Sequence, residues 1–246
     1  MFRNTPAKPV SLILALETAT ACGSVALVTA DRCLAEYSLQ SDLTHSRRLL
    51  IAIASLMDET HIGWEDIDAV AVSSGPGSFT GLRIGMSTAK GLAMAAGKAM
   101  VCVPTLDGLA SQFAFTDHLV CPVIDARKKE VYAAFFRCAQ KGIITRQSDY
   151  MALAPEDLAD MIREETIFVG DGIVPCREVF RKLGRLALVP PAVLYYPRAA
   201  AIGLLGVVKW QQGEVLEPAA AVPIYVRASD AEINFPGRGR EKKVLG

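Results

Sequence analysis

The 246-residue sequence lacks any pair of cysteines at metal-ligand or redox spacing: Cys22, Cys33, Cys102, Cys121, Cys138 and Cys176 are scattered, with no C-x-x-C among them. That excludes a zinc knuckle and argues against a disulfide framework, so a reducing cytoplasm is the expected compartment. An excess of either charge is lacking too. Lysine plus arginine and aspartate plus glutamate number 26 each, so nothing advertises stand-alone nucleic-acid binding, and an RNA contact has to be local or shared with a partner. The three histidines, His45, His61 and His118, form neither His-x-x-x-His nor His-Glu-x-x-His, and no metal ligand is assigned. No apolar run approaches membrane-spanning length, and no membrane contact is expected. Val10–Leu16, behind Arg3 and Lys8 and ahead of Ala19-Thr-Ala-Cys22, is short, ends at Glu17 and resumes at Gly23–Val28; it reads as strand rather than leader.

About half of the residues are hydrophobic, 51%, enough to bury one large core or two modest ones. Ser11–Leu16, Ser24–Thr29 and Cys33–Leu39 read as an antiparallel meander with a bend at Glu17-Thr-Ala-Thr20. The design recurs at Val120–Ile124, Val131–Cys138 and, after a Lys141-Gly142 turn, Ile143–Gln147, with Asp125 in the place of Glu17. Between the meanders, Thr44–Thr60 reads as a helix with Thr44 as N-cap. Leu49, Leu50, Ile53, Leu56 and Met57 make its apolar face, while Ile51 and Ala54, with Ala52 on the flank, leave the opposite side apolar as well. Further helices are expected from Pro104, over Pro155–Glu165 and from Tyr196 to about Gln212, with a strand and glycine turn at Ile167–Gly172 and a last strand at Pro223–Arg227.

The chain is organised around Ser73-Ser-Gly-Pro-Gly-Ser-Phe-Thr-Gly-Leu-Arg-Ile-Gly85, which follows the strand-like Ala69–Val72 and opens a helix running to Gly97. It ends in Gly81-Leu82-Arg83 where a nucleotide P-loop needs Gly-Lys-Ser/Thr, and Gly75-x-Gly77-x-x-x-Gly81 is one residue too long for the dinucleotide fingerprint. Two readings stand: Gly75, Gly77, Gly81 and Gly85, with Arg83, shape a tight turn, or they hold an anion at the helix N-terminus. Behind the loop, Gly81, Gly85, Ala89, Ala93 and Gly97 recur every four residues on one side. Such a ridge packs against the protein's own sheet or against a second chain.

The string Gly75–Gly85 with Ala89-Lys-Gly-Leu-Ala93 resembles the signature of the bacterial TsaB (YeaZ) family. Val123-Ile-Asp-Ala-Arg127 with Glu130-Val-Tyr132, the helix start at Tyr196–Ala200 and Pro223–Arg227 extend the resemblance over about 12–227. It implies a duplicated actin-like (ASKHA, ribonuclease-H-like) α/β fold. Two subdomains are expected, each a mixed sheet flanked by helices: residues 10–107 with about 195–228, and 108–194, followed by a flexible tail at 229–246. It also implies a non-catalytic subunit in placing threonylcarbamoyl on an adenosine of tRNA. The implied partners are a TsaD-like transferase and a TsaE-like ATPase, with tRNA met through the complex and self-association as a homodimer. Ile51, Ala52, Ala54, Gly85, Ala89 and Ala93 are then the expected partner interface, and no residue is assigned a catalytic role. Glu17, Asp125, Asp171 and Gly172 would line a vestigial nucleotide and metal cleft. No cofactor is expected; nucleotide binding is left to weak association or to the complex. An ATPase or phosphotransferase of the same fold, with Glu17 and Asp125 on hydrated magnesium, is the alternative. Glu17 stands where that pattern usually has aspartate. An M22-like peptidase would need the missing histidine pair.

Overall fold

The computed structural model describes residues 11–40, 45–138 and 142–227, with 45–47 placed as backbone only. The Thr44 cap, the His45 side chain and the 229–246 tail therefore lie outside the described residues. The first sheet holds β1 (Ile13–Glu17), β2 (Cys22–Val28) and β3 (Cys33–Gln40), then, after α1 (His45–Thr60), β4 (Ala69–Ser73), and after α2 (Phe79–Ala96), β5 (Ala99–Val103). Its order is β3-β2-β1-β4-β5. The first three strands pair antiparallel and the last two join β1 in parallel.

Alternation along β1 divides the core in two. Leu14 and Leu16 join Leu49, Ile53 and Leu56 of α1 and Met86, Ala89 and Ala93 of α2. Ile13 and Ala15 face the opposite layer. Being covered on both faces, β1 and β4 are apolar up to Glu17 and Ser73 at their last positions.

Helix α3 (Thr105–Ser111) leads into the second sheet: β6 (Leu119–Arg127), β7 (Glu130–Ala133), β8 (Phe136–Cys138), β9 (Ile144–Arg146), β10 (Met151–Leu153), α4 (Pro155–Asp160), β11 (Thr166–Val169), α5 (Ile173–Lys182) and β12 (Ala187–Leu188). The path β10-β7-β6-β11-β12 repeats the order and the strand directions of the first sheet. The chain then returns as α6 (Ala199–Gln211) to cover the free face of the first sheet. The result is the duplicated actin-like, ribonuclease-H-like fold. Ser24 Oγ takes the Ala199 amide at 2.8 Å and Glu36 Oε1 the Ala200 amide at 2.9 Å, so β2 and β3 satisfy the first donors of α6.

Several expectations are corrected. Leu50 is 53% exposed and belongs to the outer face of α1, because Leu49, Ile53 and Leu56 already centre the core stripe. The expected strand Ile143–Gln147 is shorter, as β9, and pairs with β8; β10 beside β7 completes the third-strand position. The helix from Pro155 stops at Asp160 rather than Glu165. Pro223–Arg227 is not a strand; proline has no N–H to give a ladder. The segment is held instead by one backbone bond, from Ile224 N to Ser74 O at 2.6 Å.

Candidate functional site

The carboxyl ends of the parallel strands bring the expected residues to one end of the sheets. Glu17 closes β1 and is fully buried. Its Oε1 accepts the Ala19 amide at 2.5 Å, and among the described residues Oε2 meets no hydrogen-bond partner. Burial pushes its pKa up to about 7; the Ala19 amide, the Ser73 hydroxyl and the Thr18 amide pull it back only in part, and the charge of Asp171 adds to the rise. Ser74 Oγ and Thr105 Oγ1, just past the ends of β4 and β5, are likewise buried without a hydrogen-bond partner among the described residues. A carboxyl this fully buried does not fit hydrated magnesium, which keeps several waters around it.

The glycine loop is closed by its own chain. A Cβ on Gly77 would lie 2.5 Å from the Ala19 carbonyl oxygen, and Cβ atoms on Gly81 and Gly85 would land on the Thr18 carbonyl and hydroxyl. Thr18 Oγ1 donates to Gly81 O at 2.9 Å, Ser78 N to Ala19 O at 2.7 Å, and Gly81 N is capped by Ser78 Oγ at 3.3 Å. Gly75 has φ +107° and would carry a Cβ 2.7 Å from the Ile224 carbonyl oxygen. Thus the loop's glycines admit the β1–β2 bend and the chain's last described segment. This geometry accounts for the glycines by close approach of the chain's own backbone. Arg83 Nε donates to Tyr225 Oη at 3.3 Å, and its guanidinium sits 5.9 Å from the Phe79 ring, itself stacked on Tyr225 at 4.8 Å.

In the second sheet Asp125, Asp171 and Gly172 do come together. The Asp125 amide donates to Asp171 Oδ1 at 3.2 Å, and the Gly172 amide to Val123 O at 3.0 Å. Burial pushes Asp171 up to about 6, with the Asp125 charge adding to the rise. Asp125 accepts the Arg127 amide at 2.7 Å and pairs with its guanidinium at 3.3 Å, in a turn where Arg127, Lys128 and Lys129 all have positive φ. Arg227 Nη1 reaches Glu130 Oε2 at 2.6 Å, tying the last described residue to this turn. Sequence reasoning missed Thr18, Ser74, Thr105, Tyr225 and the Arg227–Glu130 pair; Thr18 in the bend beside Glu17 and Ser74 in the glycine stretch lay inside quoted motifs but were given no role.

The expected interface residues separate. Gly85, Ala89 and Ala93 are buried against the first sheet and are not offered to a partner, which corrects that expectation. Ile51 is 67% exposed, Ala54 is exposed, and Ala52 is half-buried against the core. Among the described residues no cysteine is in a disulfide, and no helix is long and apolar enough to cross a membrane.

The family model described as TsaD, tRNA N6-adenosine threonylcarbamoyltransferase, matches residues 39–235. The tRNA threonylcarbamoyladenosine biosynthesis protein TsaB of Escherichia coli is 32% identical over 232 residues, covering 92% of this chain and 99% of that protein. Its Bacillus subtilis namesake is 29% identical over 91% of this chain and 97% of its own. Among solved structures, a Pseudomonas aeruginosa protein with similarity to the peptidase YeaZ superposes with TM-score 0.76 at 30% identity, over 88% of this chain and 100% of its own. Component A of the Acidaminococcus fermentans (R)-2-hydroxyglutaryl-CoA dehydratase, at TM-score 0.50 and 11% identity over 81% of this chain and 98% of its own, shares the fold alone.

Proposed function

We propose, because the chain belongs to the TsaB (YeaZ) family, that it is a non-catalytic scaffold and activator subunit of the machinery that makes N6-threonylcarbamoyladenosine in tRNA. In this reading it forms a heterodimer with a TsaD-like transferase, works with a TsaE-like ATPase, can self-associate as a homodimer, and acts in the cytoplasm. Its proposed subdomains are residues 10–107 with about 195–228, and 108–194.

The observation that carries the reading is the outer face of α1. Leu50 and Ile51 are 53% and 67% exposed, Ala54 is exposed, and Leu39 of the neighbouring edge strand β3 is 53% exposed, while Leu49, Ile53 and Leu56 fill the core. An apolar strip of this kind marks a surface that a partner covers. The full burial of Glu17 supports the same reading, since phosphoryl transfer relies on carboxylates that reach a hydrated magnesium.

Ile51→Lys tests it. The isolated variant should keep its circular dichroism and its melting temperature within a few degrees. It should lose association with the transferase by about a hundredfold or more, because an unpaired charge would enter a desolvated contact. Stimulation of tRNA modification should fall with it. Collapse of the isolated fold, or intact association, overturns the assignment of this face. The chain alone, given tRNA and activated substrate, should produce no modified tRNA; robust modification without the transferase would overturn the scaffold role.

A further inference from the structure

The second half of the chain carries a charge segregation that the scaffold role leaves unused. From Asp149 to Glu165 there are six carboxylates and one arginine, Arg163, whereas Ile173–Leu194 holds Arg177, Arg181, Lys182 and Arg185 against Glu178 alone. All four cations are exposed. Arg181 pairs with Glu178 at 2.9 Å with both side chains more than 70% exposed, 77% and 72%, so solvent screens the pair to little effect. Arg177, Lys182 and Arg185 make no ion pair or hydrogen bond with the described residues, although α4 with its carboxylates packs beside α5. Arg181 and Lys182 lie in the last turn of α5, where a cation offsets the helix dipole. That account does not extend to Arg177, one turn earlier, or to Arg185 beyond the helix.

Arg177 and Arg181 flank a groove of about 450 Å³ between α5 and the segment from Ala187 to Tyr195. Its floor is closed: Ile173 and Phe180 are 2% exposed and Tyr195 8%. A closed floor gives little purchase to an inserted apolar side chain, so the surface addresses charge. It is also separate from the cleft, because α5 starts beside Asp171 and carries its cations away at about 1.5 Å per residue.

We propose that the basic surface formed by α5 and the turn after it, with Arg177 and Arg185 as its cations outside the helix's last turn, contacts the phosphodiester backbone of RNA directly. The inference rests on the reading of the chain as a tRNA-modification subunit, which supplies the polyanion. Guanidinium forks match phosphate oxygens, and with the whole chain balanced at 26 charges of each sign an RNA contact has to be local.

The test is the affinity of unmodified tRNA for the full chain, alone and in complex with the transferase, titrated across salt concentration. Arg177→Glu/Arg185→Glu should bind at least tenfold more weakly at low salt. The slope of log affinity against log salt should shrink by about 1.5, two contacts at roughly 0.7–0.9 each. Association with the transferase should be unchanged, and Arg32→Glu in the exposed β2–β3 turn should leave affinity and slope within twofold. Unchanged affinity and slope in the double variant overturn the proposal. So does lost association with the transferase or ATPase while RNA binding persists: an acidic amphipathic protein segment would then be the occupant, using the same cations with Val174 and Val189, which are 54% and 46% exposed. A wild-type chain that shows the salt slope but fails to stimulate the transferase sinks the scaffold reading and leaves the RNA contact standing. Normal stimulation with no slope change in the variant does the reverse.

Discussion

The two sheets share strand order and direction yet treat the end of their first strand in opposite ways. In the first sheet, strands of five to eight residues lie under α1 and α2 on one face and α6 on the other. The glycine loop closes over Glu17 and leaves it fully buried. In the second sheet the strands after β6 are only two to four residues long. There Asp125, 26% exposed, shares a polar turn with an arginine that is 83% exposed. Topology was duplicated; environment was not. A carboxyl at one position of the fold becomes a near-neutral core group in one copy and a solvated turn acceptor in the other.

The largest effect expected from this contrast is steric. Gly81→Val would drive a branched side chain into the Thr18 carbonyl. Backbone cannot yield as a side-chain tip does, so a loss of about 3 kcal/mol or more is expected, a fall in melting temperature of roughly 6–12 °C for a chain of this size. Gly77→Val, against the Ala19 carbonyl, should behave alike. Gly172→Ala at the matching turn of the second sheet meets its nearest atoms only at 3.0 Å and should cost about 1 kcal/mol. Gly170 in that turn is as tight as Gly81, since a Cβ there would lie 2.0 Å from the Val123 carbonyl oxygen, so the contrast is between these two positions and Gly172; calorimetry showing equal losses at Gly81 and Gly172 would erase it.

A second test follows from titration. The folded-state pKa of Glu17 is raised from 4.5 to about 7, so between those values the folded chain binds more protons than the unfolded one. Stability therefore falls as pH rises from about 4.5 to 7 and levels off above. At about 1.4 kcal/mol per pH unit the loss is on the order of 3 kcal/mol. Glu17→Gln keeps the acceptor for the Ala19 amide and removes the ionisation. It should flatten this part of the melting profile and melt higher than the wild type at pH 8. A variant whose profile still declines as steeply would show that Glu17 is not held near neutrality.

The smallest effect is expected at the matching position. Asp125→Asn retains an acceptor for the Arg127 amide and loses only an exposed ion pair, so stability should change by less than about 1 kcal/mol. With that like charge gone, Asp171 should titrate at lower pH, which carbon-detected NMR can follow. A loss at Asp125 as large as the pH effect at Glu17 would mean that both first-strand ends are equally sealed.

Much of the architecture was legible locally. Alternation in Ile13–Leu16 and the apolar run Ala69–Val72 mark strands, and Gly97, at φ +63°, ends α2 as a left-handed cap should. The recurrence of meander and acidic turn marks the duplication. The glycines of the central loop were legible as a requirement for close approach, but what approaches them was not. Thr18 and Ala19 lie about sixty residues away in sequence, and only the parallel pairing of β1 with β4 brings them under the loop. Likewise the four-residue ridge Gly81, Gly85, Ala89 and Ala93 announced close packing without saying against what. A small residue fits a neighbouring backbone of the same chain as well as that of another, and the tertiary structure spends the ridge on its own sheet. Leu50 shows the same limit. Its 100° step from Leu49 leaves it at the edge of the stripe, where composition reads it as core, and the position of the sheet turns it outward. Sequence periodicity determined which residues face together. Long-range packing decided which face is core, which carboxyl is sealed, and which apolar strip is left for a partner, because burial depends on neighbours that no local pattern encodes.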